Sequence, residues 1–181
     1  MESDERLRLF CALLLPPSTL DGLSAWQSAQ IETAGADLRV VPRENLHATL
    51  AFLGATPAAR AEDVVDALRE SCAGQEPPLF AVSRYRETKS VAMIELADAR
   101  GRGEAIAERL FDALEARDLY HREARKWLPH VTVARFRARP RLAPSLPELG
   151  EVAPSDAAVM ISRLRPGGAQ YGVFESVSLG G

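Results

Sequence analysis

This chain is poor in the residues on which several kinds of chemistry depend. It has two cysteines in 181 residues. Cys11 and Cys72 form no metal or redox spacing with each other, and they suit a reducing cytoplasm better than a secreted disulfide scaffold. Histidines number three, His47, His121 and His130, with no HxH, HExxH or CxxC spacing to build a zinc site. No run reaches the roughly 20 apolar residues of a membrane span. The stretch RLRLFCALLLPP imitates a targeting signal, but Glu2, Asp4 and Glu5 precede its apolar part and Pro16 and Pro17 end it. It therefore reads as a buried strand. Basic residues are not in excess: 22 Lys and Arg stand against 25 Asp and Glu, for a net charge of −3. That balance argues against a protein that follows a long nucleic-acid backbone and confines any such contact to one end or one linkage. The expectation is a cytoplasmic monomer without membrane contact, metal or cofactor.

What is present is an ordinary globular balance, 46% hydrophobic and 26% charged, in a length that fits one bilobal domain over residues 1–181. Strand-like and helix-like runs alternate in the order β-α-β-β-α-β-β-α-β-β-β. LRLFCALLL reads as a central strand. Leu7, Leu9, Cys11 and Leu13 share one side of it, while Arg8, Phe10 and Ala12 share a less core-like side. A helix is expected from about Ser18 to Gly35, with Leu20, Leu23, Trp26, Gln27 and Ile31 at helical spacing. Thr56 with Pro57 predicts a capped helix start, carrying Val64, Val65, Leu68 and Cys72 inward. A third helix is expected over residues 103–119. RARPRLAPSLPELG reads as a Pro-rich loop, and a final strand pair turns at PGGAQYG.

Two of the three histidines sit in one pattern, His-apolar-Thr-apolar: HATLAFLG from residue 47 and HVTVARFR from residue 130. In a strand, alternate side chains share a face. Leu46, Ala48, Leu50 and Phe52 are then expected against helices, with His47 and Thr49 on the other face. Val131 and Val133 are expected inward, with His130 and Thr132 opposite. If two lobes face each other, these pairs line the two walls of a groove. Two imidazoles near neutral pH offer one acid and one base. On opposite walls they suit in-line displacement at phosphorus, with threonine hydroxyls donating to the non-bridging oxygens. A lone HxT in a strand is ordinarily just a satisfied pair; two copies, each entering a strand, point to a site. A zinc site from His47, His121 and His130 is the rival reading, and His121 has no partner threonine.

The paired motifs resemble the signature of the two-histidine phosphoesterases. The opening RLFCALLLPP, the lead-in VPRENLHATLAFLG and the ending SRLRPGGAQYGVFESVSL resemble the bacterial and archaeal RNA 2',3'-cyclic phosphodiesterases, once named 2'-5' RNA ligases. The resemblance implies an α/β fold of the α+β type: two pseudo-symmetric antiparallel-rich sheets backed by helices, with the active groove between them. It implies hydrolysis of RNA 2',3'-cyclic phosphate ends to 2'-phosphates. His47 would donate a proton to the 3' oxygen, His130 would accept one from water, and Thr49 and Thr132 would hold the phosphate. The motif symmetry alone leaves the two histidine roles open. A binding module for RNA ends without catalysis, and a sibling enzyme acting on small cyclic nucleotides or 2'-5' linkages, are the alternatives.

Further residues attach to this reading. Arg135, at the end of the second motif, could meet a phosphate, but only if the strand ends or bulges there. Phe10 could stack on a base if its face lines the groove. Tyr171 and Arg165 flank the last turn, and Arg122, Arg125 and Lys126 form a basic cluster beside His130.

Overall fold

The computed structural model describes residues 5–35 and 37–180. Its elements follow the expected order: β1 (Arg6–Leu14), α1 (Pro17–Gln30), β2 (Arg39–Val40), β3 (Ala48–Pro57), α2 (Ala61–Cys72), β4 (Ala81–Glu87), β5 (Val91–Ala97), α3 (Arg102–Glu115), β6 (His130–Arg135), β7 (Asp156–Arg165) and β8 (Gly168–Ser178). The strands lie in the order β4-β5-β6-β3-β1-β7-β8, with β2 added to β6. Every pairing between these strands is antiparallel.

The sheet has two halves, β3-β1-β7-β8 and β4-β5-β6-β2. Strands β3 and β6 join them through one paired position, Ala48 with Val131. All three helices cover the same face. Val64, Val65 and Leu68 of α2, Ile106, Leu110 and Leu114 of α3, and Leu23 and Trp26 of α1 are buried in one cluster. That cluster also holds Leu9, Cys11 and Leu13 of β1, Leu50 of β3 and Val131 and Val133 of β6. Each of these valines, leucines and isoleucines, once buried, contributes about 1.5–3 kcal/mol. The alternation read in β1 is observed: Phe10 and Ala12 belong to a second, small cluster on the opposite face, with Ala158 and Met160. Both cysteines are free and buried, and burial pushes the Cys11 thiol up to about 12. No helix is long and apolar enough to cross a membrane among the described residues.

Element ends differ from the expectation where tertiary pairing overrides a local signal. Helix α2 begins at Ala61 rather than at Pro57, because β1 keeps pairing with β3 as far as Arg6 with Pro57. The Thr56 hydroxyl turns back to the Gly54 carbonyl at 3.3 Å instead of capping a helix. Helix α1 ends at Gln30, short of Gly35. Helix α3 stops at Glu115. Asp118 there adopts a left-handed φ of 54°, and the Leu119 N–H returns to the Leu114 carbonyl at 3.0 Å, a Schellman-type ending.

Candidate active site

Each motif strand carries one extra residue close to its histidine, and β3 carries a second at Leu53, beyond Phe52. Along β3, Cys11 pairs with Ala51 and Ala12 with Thr49, so Leu50 is extra. Along β6, Ala92 pairs with Ala134 and Met93 with Thr132, so Val133 is extra. Both bulges fall three residues after the histidine. An extra residue reverses the alternation of the strand beyond it. Leu50 and Val133 stay in the core, and the residue two further on turns to the other face. That residue is Phe52 in the first motif and Arg135 in the second, and both line the groove. The bulge on which Arg135 depended is therefore present. The placement of Phe52 against the helices is corrected: the residue is 53% exposed on the groove side, with the Arg8 guanidinium 5.6 Å from its ring centroid.

The strand carbonyls around each bulge are met by side chains from elsewhere, as buried acceptors require. The buried Gln27 amide of α1 donates to the Val133 carbonyl at 2.8 Å and to the Val41 carbonyl at 2.9 Å. The Trp127 indole donates to the Thr49 carbonyl at 3.1 Å. Gln27 thus reinforces the hold of the β2 segment on β6, beside their backbone pairing and the Val41 N–H bond to the Val133 carbonyl at 2.9 Å.

The joining pair sets the relation between the motifs. Ala48 follows His47 and Val131 follows His130, so the antiparallel pair Ala48–Val131 lies on a local twofold axis. Counting outward from it puts His47 level with Thr132 and Thr49 level with His130. The two histidines are then diagonal neighbours, for which side-chain origins lie about 7–8 Å apart in an unsplayed pair. Their rings are held alike: Nδ1 of His47 donates to the Asn45 carbonyl at 2.7 Å, and Nδ1 of His130 to the Leu128 carbonyl at 2.8 Å. With the proton on Nδ1, each neutral ring has its free lone pair on Nε2. In His47 that lone pair accepts from the Thr49 hydroxyl at 2.9 Å.

Beside the motifs lies a cavity of about 610 Å³. His47, Thr49, Phe52, Phe10 and Tyr171 form one wall, and Thr132, Arg135 and Arg39 the other. His130 is not among its lining residues; it sits on the rim, on the same strand face as Thr132. Phe10 lies in the floor, 2% exposed, with ring centroids 4.9 Å from His47 and 5.0 Å from Tyr171. Both neighbours cover it, so stacking of a base on Phe10 is not the role this packing provides; it braces His47. The Asn45 amide ties the β7–β8 hairpin to this wall through the Ala169 carbonyl at 3.0 Å.

Other expected residues fall outside the site. Arg165 is not in the cavity lining. The cluster near His130 is already paired: Arg122 with Glu108, Asp112 and Glu115, Arg125 with Glu123, and Lys126 with Glu104. His121 is exposed beside the end of α3. No cluster of three or more His, Cys, Asp or Glu side chains is placed to share a metal ion among the described residues.

The His47 imidazole is held below its ordinary value. Loss of hydration is the main cause; the Asn45 carbonyl opposes it, and positive charge on His130 and Arg135 adds to it. A histidine that resists protonation when folded contributes its stability in full above the unfolded value of about 6.5. That contribution is lost as pH falls through the lower, folded value. Denaturant midpoints measured from about pH 7 down to about pH 5 should therefore fall in the native chain and fall less in His47→Gln. An identical decline in both chains would assign the loss to other groups.

A curled antiparallel sheet that carries two His–Thr pairs on neighbouring strands beside a groove is the architecture of the two-histidine phosphoesterases. The chain belongs to the 2'-5' RNA ligase superfamily, whose family model matches residues 16–165. A Thermus thermophilus relative, an RNA 2',3'-cyclic phosphodiesterase, is 33% identical, over 97% of this chain and 91% of its own length. A Methanothermobacter thermautotrophicus protein of the same name is 26% identical, over 92% of this chain and 95% of its own. The crystal structure of E. coli LigT with 3'-AMP superposes with a TM-score of 0.80 at 20% identity, covering 97% of this chain and 99% of that one. At that identity the likeness is one of fold.

Proposed function

We propose that this chain hydrolyses the 2',3'-cyclic phosphate at RNA ends to a 2'-phosphomonoester, using His47 and His130 as acid and base without a metal. The observation that carries the reading is the twofold relation of the two His–Thr pairs about Ala48 and Val131. The two relatives named for this activity, aligned along almost the whole chain, support it.

The surroundings of the rings support the roles that the family resemblance implies. His130 sits on the rim with access to water, and its Nε2 takes a proton from the attacking water. His47 is packed among Phe10 and Tyr171, and its lowered basicity makes its protonated form a strong donor. The negative charge of a bound phosphate favours the protonated ring, which takes its proton from solvent. Water then adds to phosphorus, the bond from phosphorus to the 3' oxygen breaks, and that oxygen leaves with the His47 proton. Thr49, Thr132 and Arg135 donate to the non-bridging oxygens, where charge accumulates. The cycle closes when His130 releases its proton and His47 regains one.

The deciding experiment is product analysis on a defined RNA ending in a 2',3'-cyclic phosphate. The expected product is a 2'-phosphate with a free 3' hydroxyl, formed at the same rate with and without a chelator. Binding without turnover would instead support a module for RNA ends. Turnover confined to mononucleotides or 2'-5' linkages would support a sibling substrate. Loss of rate on chelation would overturn the metal-free step.

A further inference from the structure

The half-sheet that carries the second motif extends two strands beyond it, and its groove face is not bare. Cross-strand register aligns Arg84 of β4 with Glu95 of β5, and Glu95 with His130 of β6. The neighbouring row runs Arg86, Met93, Thr132. Side chains at paired positions share a face, so both arginines stand on the same side of the sheet as His130 and Thr132. At two strand spacings they lie about 10 Å from that pair, outside the lining of the 610 Å³ cavity itself.

Glu95 explains why they stay there. Its side chain is 5% exposed, and a buried carboxylate needs partners. Arg84 clasps it through two nitrogens, and the Arg86 Nε lies 2.7 Å from its Oε1. One carboxylate requires one cation; two are supplied, so the row keeps a net positive charge. Arg84 and Arg86 are also 62% and 40% exposed, with N–H groups left to donate outward. By contrast, the cluster at Arg122, Arg125 and Lys126 is matched by acidic partners and has no such surplus. In a chain of net charge −3, a fixed cationic pair beside the candidate acid-base pair is a local anion site.

We infer that Arg84 and Arg86, pinned by Glu95, form a subsite for the internucleotide phosphate preceding the reacting end, so that the groove grips an oligonucleotide more tightly than a mononucleotide. This rests on the reading of the site as one for RNA ends and adds the direction in which the strand leaves it. Planar, pre-positioned guanidiniums suit phosphate oxygens better than free lysines do.

Binding separates this inference from the catalytic one. A nucleoside 2'-monophosphate and a trinucleotide ending in 2'-phosphate are titrated into the native chain and into Arg84→Gln/Arg86→Gln. The native chain is expected to prefer the trinucleotide. The double variant should bind it roughly ten- to a hundredfold more weakly, with the mononucleotide unchanged. The slope of log affinity against log salt should become shallower by about 0.7, the value for one phosphate contact on a single strand. Equal losses for both ligands, an unaffected trinucleotide, or a native chain that does not distinguish the two would overturn the subsite. A native chain that binds as expected but leaves a cyclic phosphate uncleaved would sink the proposed reaction and keep the subsite.

Discussion

His130→Ala is expected to lower kcat on a cyclic-phosphate RNA by about 10²–10⁴-fold, the usual worth of a positioned acid or base, and His47→Gln by a similar factor. Glutamine is the better replacement at position 47 because the ring there packs against Phe10 and Tyr171; a truncated side chain would confound lost packing with lost proton transfer. Because the two rings serve one displacement, the double variant should be little worse than either single one, far from the product of the two factors. The pH profile of kcat/KM should be bell-shaped in the native chain and lose one limb in each single variant. A variant that keeps near-native turnover would remove that histidine from the chemistry, provided its circular dichroism and melting match the native chain.

Gln27→Ala is expected to cost about 1–3 kcal/mol of stability, since the Val41 carbonyl loses its side-chain donor and the Val133 carbonyl keeps only the Val41 N–H. The cost should be nearly as large in Gln27→Leu, which restores volume but not the N–H groups; recovery in the leucine variant would reduce Gln27 to a space-filler. The same change should reach the site. The Gln27 amide holds the Val133 carbonyl and β2 together, and the Val133 bulge is what turns Arg135 toward the groove. A raised KM should therefore accompany the lost stability, measured on the fraction that remains folded.

The element order and the two HxT motifs were readable because hydrophobic period and residue type carry them directly. The groove faces of β1, His47 with Thr49, and His130 with Thr132 follow from simple alternation. Alternation fails at Leu50 and Val133, where nothing in residue type announces an extra residue. Phe52 consequently read as core, and Arg135 depended on a bulge that could only be posed as a condition. The comparison that could have found both is between the motifs themselves: if Arg135 belongs in the groove, so does the residue at the same step after His47. Gln27 was visible as a polar side chain on an apolar helix face, but its partner lies on a strand more than a hundred positions away. Arg84 and Arg86 belong to no motif, and their alignment with His130 and Thr132 depends on strand register, a long-range property.

The twofold relation about Ala48 and Val131 has a bearing on product polarity. An arrangement that maps onto itself by rotation cannot, by its reactive groups alone, tell the two ends of a substrate apart. A strand threaded the opposite way would meet the same two imidazoles in exchanged places and release the other hydroxyl. Handedness must enter through what the rotation does not preserve: an aromatic ring at Phe52 where its counterpart is the cation Arg135, and one imidazole packed against Phe10 and Tyr171 where the other lies outside the cavity lining.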